Sequence, residues 1–346
     1  MIPPSTSTVV VKALNVGQLK CLPASLFFTP VVEGHEFFSG PIYAFLIEHP
    51  VKGRVMYDLG LRKDSESLSP AVHRHIRSLG GLSVREAMEA STDVLEKLTK
   101  GGVDLGSVKA VIWSHTHLDH TGDMSKFPQT TELVVGPGSD LRTYPSDPNA
   151  TLIESDLAFL TSYMHLSGRK VTELSFSKGS LRIADLPALD YFDDGSFYIL
   201  HTPGHLAGHV SALARVTPTT FILLGGDCCH HTGDMRPAPP YETHFPLPKH
   251  IAQDVALLRT PMLRIPSRSV YQDVPKTNET LRKLTKLDAH PDVLLLIAHD
   301  STVPGVIDEF PASLNAWKEK GWKDKLMWAF LKRESKGFRF GKSAKL

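Results

Sequence analysis

The densest chemistry in the 346-residue sequence is the run His115-Thr116-His117-Leu118-Asp119-His120. In an extended segment side chains i and i+2 point the same way, so the imidazoles of His115 and His117 face one point. Asp119 and His120 follow where Gly122 favours a turn, adding a carboxylate and a third imidazole nearby. Neutral nitrogens beside one oxygen anion suit a borderline cation such as zinc. The bland alternative is a solvated, histidine-rich turn, and the rest of the chain argues against it.

Three other segments share one layout: an apolar, strand-like run that ends on a ligand-type residue. Phe197 to His201 leads through Thr202-Pro203-Gly204 to His205. Phe221-Ile-Leu-Leu leads through Gly225-Gly226, where two glycines permit close backbone approach, to Asp227. Val293 to Ala298 leads to His299. A single histidine after a strand is usually packing or surface; four such segments together are not. The chain carries 17 histidines.

These side chains need strands that end at one rim. Thr8–Leu14, Tyr43–Ile47 and Arg54–Tyr57 read as strands, the last two joined as a hairpin through Pro50 and Gly53. Ser83-Val84-Arg85-Glu86 has capping-box spacing, Val94, Leu95 and Leu98 share one helical face, and Gly101-Gly102 closes it. Val108–Trp113 is a short apolar run typical of a strand buried on both faces. Further strands are expected at 132–135, 197–201, 210–216, 221–224 and 293–297. Helix followed by buried strand is an α/β pattern, whose sites lie at strand carboxyl ends. Residues 137–170 and 230–250 read as long loops and candidate lids, with Tyr144, Tyr163, Tyr241 and Phe245 as candidate pocket residues. From Pro311 to Leu331 the spacing of Leu314, Trp317, Trp322, Leu326 and Phe330 is helix-like, interrupted by Gly321.

The order His-x-His-x-Asp-His, Thr-Pro-Gly-His, Gly-Gly-Asp, Ala-His resembles that of the metallo-β-lactamase superfamily, from about Tyr43 to Asp300. The resemblance implies an αββα sandwich of two mixed β-sheets flanked by helices. It also implies one domain over residues 1–346, with a metal-binding core over 43–300 and a helical extension over 311–346. His115, His117 and His205 then match the ligands of a first metal, and Asp119, His120 and His299 those of a second. Asp227 matches the bridging carboxylate. With all seven positions kept, two Zn2+ are expected, with manganese, iron or cobalt as alternatives. His209 and Asp123 are read as supports behind the ligands.

Such a cluster implies hydroxide generated between two cations attacking a carbonyl carbon, with Asp119 carrying a proton. Within the superfamily the sequence looks most like the N-acyl homoserine lactone lactonases, the quorum-quenching branch, through Asp227-Cys-Cys-His230-His231, Met235-Arg-Pro237 and Phe310 to Trp322. That branch places a tyrosine three residues after the bridging aspartate; here the position is His230. Either His230 replaces that tyrosine as a catalytic donor, or His230 and His231 are loop residues. The expected activity is ring opening of N-acyl homoserine lactones or related lactones. The alternatives are a thioesterase of the glyoxalase II type and a non-catalytic metal-binding module.

Bulk composition narrows the partners. The sequence is 41% hydrophobic and 22% charged with net charge +1, which suits a folded core and gives no global attraction to nucleic acid or anionic membranes. No apolar stretch approaches bilayer-spanning length. The three cysteines, Cys21, Cys228 and Cys229, make a poor disulfide framework and suit a reducing compartment. The expectation is a cytoplasmic monomer or homodimer acting on a small lactone or ester.

Overall fold

The computed structural model describes residues 2–31, 33–64, 68, 70–90, 92–141, 168–177, 181–248 and 260–331. Thirteen strands among them form two sheets. The first sheet holds β1 (Val10–Pro23), β2 (Phe37–His49), β3 (Gly53–Tyr57), β4 (Met88–Glu89), β5 (Val108–Ile112), β6 (Glu132–Val135) and β7 (Val171–Glu173), ordered β4-β1-β2-β3-β5-β6-β7. The second holds β8 (Arg182–Ile183), β9 (Leu186–Asp190), β10 (Phe197–His201), β11 (Val210–Arg215), β12 (Phe221–Gly226) and β13 (Val293–Ile297), ordered β13-β12-β11-β10-β9-β8. Both are mixed: β3, β5, β6 and β7 run parallel in the first, and β12 and β13 in the second.

Alternation along the strands explains the layers. Phe45, Ile47, Tyr57 and Ile112 point inward from the first sheet and meet Ile199, Ala212, Leu224 and Leu296 of the second. The intervening residues point outward. Leu46, Met56 and Val111 pack beneath α1 (Pro70–Gly80), α2 (Val84–Ala87) and α3 (Val94–Lys100). Leu213, Leu223 and Leu295 pack beneath α5 (Val274–Asp288), which follows the single-turn α4 (Leu118–Thr121) in chain order. The result is helix, sheet, sheet, helix, as the resemblance implied. Tyr57 Oη ties the sheets together by donating to Val210 O at 2.8 Å.

Most local expectations hold. Ser83 and Glu86 form the capping box of α2, and Gly101 caps α3 after Val94, Leu95 and Leu98 are buried. Strands β6, β10 and β13 match the expected spans to the residue, and β2 and β3 form the hairpin. The first strand runs further than expected, because bulges near Asn15 and Leu19 let it bend and stay paired with β2.

Two expectations need correction. Residues 311–320 are turns, and only α6 (Trp322–Met327) and a 3-10 turn at Ala329–Leu331 are helical. The backbone of this segment bonds to β1 instead: Phe310 N donates to Ala13 O and Leu314 N to Val11 O, while Asn315 holds both Val11 N and Val9 O. Its apolar side chains are buried all the same, Leu314, Trp317, Trp322 and Leu326 between the sheets and Phe330 in the outer layer of the first. The described part of the 230–250 loop is an anchored wall. Arg236 pairs bidentately with Asp288 at 2.7 and 2.8 Å and Tyr241 Oη donates to Asp288 at 2.6 Å. Tyr241 and Phe245 therefore pack on Trp328 and Met327, away from the pocket. Tyr144, Tyr163 and the chain after Leu331 lie outside the described residues. All three cysteines are free. No described helix is long and apolar enough to cross a membrane.

Gly40 on β2 sits against the turn after β13: a Cβ there would lie 2.3 Å from His299 O. Gly40→Ala is expected to destabilise the fold by about 1–3 kcal/mol through this overpacking. A urea midpoint unchanged from the parent would contradict that contact.

Candidate metal centre

Four strand ends deliver the cluster to one rim. After β5 the chain passes through Trp113 and Ser114 to His115 and His117, then turns into α4 with Asp119 and His120. The turn after β10 delivers His205, β12 delivers Asp227 and β13 delivers His299. Gly226 has φ +55°, and a Cβ there would meet Ser114 Cβ at 2.9 Å and His209 Nε2 at 3.0 Å. The backbone before Asp227 passes where only glycine fits.

The seven expected side chains converge, and all are buried. His115 Nε2, His117 Nδ1 and His205 Nε2 lie 2.9, 2.9 and 3.2 Å apart. Tetrahedral nitrogens at zinc–nitrogen distances of about 2.0–2.1 Å would be separated by roughly 3.3 Å. His120 Nε2 and His299 Nε2 lie 3.3 Å apart, with Asp119 Oδ2 3.4 Å from His299 and 3.9 Å from His120. Asp227 faces both groups. Its Oδ1 is 3.2 Å from His120 and 3.2 Å from His299; its Oδ2 is 3.5 Å from His205 and 3.7 Å from His115.

The donor set fits a pair of cations. Asp227 Oδ1 is buried with no hydrogen bond among the described residues. Burial, reinforced by neighbouring imidazoles, keeps His115 and His205 well below the ordinary histidine range and His117 down at about 4, which favours the neutral, ligand-competent imidazole. Burial alone would lower His120 and His299 too, but Asp227 with Asp119 raises both, helped by Asp58 at His120. Conversely, burial would raise Asp227, yet the imidazoles of His120, His299 and His230 hold it well below the carboxylate range. At His120 and His299 a proton takes the positive role that a divalent cation would fill, and cation binding there would release it.

A second layer fixes these rings, and the sequence reading found only part of it. His209 holds its Nδ1 on Thr202 O at 2.9 Å and accepts Asp227 N at Nε2, 3.1 Å, which aims the bridging carboxylate. Asp123, expected as a support, instead caps the turn at Ser125, 3.0 Å, and lies 3.6 Å from Arg62. Asp58 was not anticipated as a support. It accepts from Ser114 N at 2.6 Å and Ser114 Oγ at 2.7 Å and meets His120 Nδ1 at 2.8 Å. His299 Nδ1 donates to Pro41 O at 2.8 Å. His230 lines the cavity with Nε2 3.1 Å from Asp227 Oδ2, and Tyr271, also unanticipated, meets its Nδ1 at 2.7 Å. His231 turns away, capping Gly233 and packing on Phe28 and Phe330.

The cluster forms the floor of a cavity of about 100 Å³. Its walls are apolar, from Leu19, Leu22, Phe27, Met88, Leu118 and Val270, with Ser269 as a hydroxyl and no lysine or arginine among the described lining residues.

Comparison with known proteins agrees with this architecture. The family model of the metallo-β-lactamase superfamily matches residues 39–219. The chain belongs to the metallo-β-lactamase superfamily. It is 39% identical over 344 residues to cytochrome P450 monooxygenase mpaDE of Penicillium roqueforti (strain FM164), covering 96% of this chain and 38% of that one. The chain thus spans little more than a third of that relative's length. It is 37% identical over 359 residues to γ-lactamase FDB1 of Fusarium pseudograminearum (strain CS3096), covering 95% of this chain and 83% of that one. Among solved structures, a quorum-quenching N-acyl homoserine lactone lactonase superposes with a TM-score of 0.57 at 14% identity, over 89% of this chain and 99% of that one. That likeness is one of superfamily fold.

Two outcomes follow from this geometry. Asp58→Asn keeps the side-chain shape but removes the charge behind His120, so metal affinity in this superfamily member should fall roughly 10–100-fold. Competition with a chromogenic chelator measures it, and an unchanged affinity would contradict the support. Metal-free protein should lose stability as pH falls from 6.5 toward 4. The unfolded histidines take up protons there, whereas His117 and His209 stay neutral in the fold until about 4. His120 and His299 oppose this, since their raised values favour the folded state at low pH, but they are outnumbered by the lowered set. A melting temperature that rises over that window would contradict the assignment.

Proposed function

We propose that this protein is a metal-dependent hydrolase that opens a cyclic carboxyl bond, a lactone first and a γ-lactam second, in a small apolar molecule. The observation that carries the reading is one buried carboxylate, Asp227, shared by two ligand groups on the floor of an apolar cavity. His115, His117 and His205 would hold one divalent cation and Asp119, His120 and His299 the other, with Asp227 between them. Zinc is the expected ion at both, given three imidazoles in one group and two with a carboxylate in the other. Bound there, such cations acidify water and polarise a carbonyl oxygen.

The chain's own residues supply the rest. Asp119 lies at the cavity floor beside His299, and the carboxylate oxygen it does not lend to a cation would receive a proton and return it to the departing oxygen or nitrogen. His230 stands where a donor can meet the substrate carbonyl. The walls Leu19, Phe27, Met88 and Leu118 exclude water and favour an uncharged body. Lactones stay ahead on the likeness to the lactonase branch around His230 and Trp317. The γ-lactam reading is favoured by the length and identity of the match to γ-lactamase FDB1. The thioesterase reading is disfavoured, because a glutathione thioester carries carboxylates and the described cavity lining has no cationic side chain to meet them. A non-catalytic module has no need of seven converging ligand atoms above a cavity.

Zinc-loaded protein should be assayed against N-acyl homoserine lactones, simple γ-lactones, γ-lactams, a glutathione thioester and a phosphodiester. Ring opening of a lactone or lactam is expected, abolished by chelator and reduced at least ~100-fold in kcat by Asp119→Ala. Turnover of the thioester or phosphodiester alone, or full activity without metal, would overturn the reading.

A further inference from the structure

His230 lines the cavity and Tyr271 lies behind it, a pair that the metal cluster leaves unexplained. Tyr271 Oη accepts His230 N at 3.0 Å and lies 2.7 Å from His230 Nδ1. Both side chains are buried, and the His230 ring is packed against Phe27, His205 and Tyr271 and stacked over His299. His230 could act in two ways. It could lend Nε2 as one more ligand beside Asp227 and His299, since these three side chains also lie within ligand range of each other. Or it could carry a hydrogen on Nε2 and act as a donor.

Hydrogen counting separates the two. A phenol has one proton to give and two lone pairs to receive. One lone pair of Tyr271 takes the backbone N–H of His230. If Nδ1–H took the other, the phenolic proton would be buried with nothing among the described residues to accept it. Neither carboxylate oxygen of Asp234 has a hydrogen bond among the described residues, so it does not receive the phenolic proton. A phenol keeps its proton at neutral pH. The arrangement that satisfies every group is Tyr271 O–H donating to Nδ1. Neutral imidazole then carries its hydrogen on Nε2, which lies 3.1 Å from Asp227 Oδ2, where an N–H is attracted and a bare lone pair repelled.

We infer that Tyr271 is a positioning residue that locks His230 in the Nε2–H tautomer, making His230 a hydrogen-bond donor facing the substrate rather than a metal ligand. The inference deepens the hydrolase reading above, because it names the group that meets the substrate's carbonyl oxygen. It assigns a two-residue device, from positions 41 apart in sequence, to the place where the related lactonases are expected to carry one tyrosine hydroxyl.

The test is 15N NMR of histidine-labelled, zinc-loaded protein without substrate, with His230 assigned by its absence from His230→Gln. Nε2 is expected to resonate as a protonated nitrogen and Nδ1 as an unprotonated acceptor. The reverse pattern, or a metal-bound Nε2, would overturn the inference. Tyr271→Phe removes one oxygen and should leave two zinc ions bound while His230 becomes a tautomer mixture. In it kcat should fall roughly 10–100-fold with little change in KM. His230→Gln keeps an N–H at a similar reach and should retain more activity than His230→Ala, again with full metal content. Loss of a zinc ion from either His230 variant would make His230 a ligand and sink the proposal. The tautomer is read without turnover, so failure of the lactone and lactam assays leaves this measurement standing, and a wrong tautomer leaves the substrate assignment standing.

Discussion

The structure depends on one buried anion. Asp227 is 2% exposed, and its two oxygens face His115 and His205 on one side and His120 and His299 on the other. Isolated in an apolar interior, a carboxylate would be neutralised or would unfold its surroundings. It stays ionised because the imidazoles of His120, His299 and His230 hold it well below the usual carboxylate range, and a divalent cation at either ligand group would serve the same end. Each of the surrounding strand ends has to be held in place for that to work, which explains the density of supports around it. His209 fixes the Asp227 backbone, Asp58 fixes His120, and Pro41 fixes His299.

Those supports tie the centre to the fold more firmly than the ligands alone would. Asp58 follows β3, Pro41 lies in β2 and His209 precedes β11, so the cluster draws on both sheets through second contacts as well as first. The Tyr57 hydroxyl, which crosses between the sheets to Val210, lies one residue before Asp58. A shift of one sheet against the other would therefore be felt in the ring orientation of His120. The apolar walls come mainly from β1 and the loops at Phe27 and Val270, which carry no ligand, joined by Leu118 of α4 beside Asp119. The ligands and most of the cavity wall therefore come from different parts of the chain.

The division also explains what was legible in the sequence. Strands such as β6, β10 and β13 are almost wholly buried and read as short, mostly apolar runs, so their limits were visible. The ligand motif was visible because His115 to His120 are adjacent. Asp58 and Tyr271 were not, because each is a lone polar residue whose partner lies 62 or 41 positions away. The helix α5 was missed because its buried face includes Thr277, Thr280 and Thr285 between the leucines, which masks the apolar period. The segment after Pro311 misled in the opposite direction: its large side chains have helical spacing, but its backbone bonds to β1 and its burial needs no helix.

The central claim is that two cations share Asp227. Anomalous diffraction from crystals of the purified protein, collected above and below the absorption edge of the metal identified by fluorescence, tests it most directly. The account predicts two peaks, one among His115, His117 and His205 and the other among Asp119, His120 and His299, each in contact with one oxygen of Asp227. A single peak, or peaks that leave Asp227 uncoordinated, would contradict it.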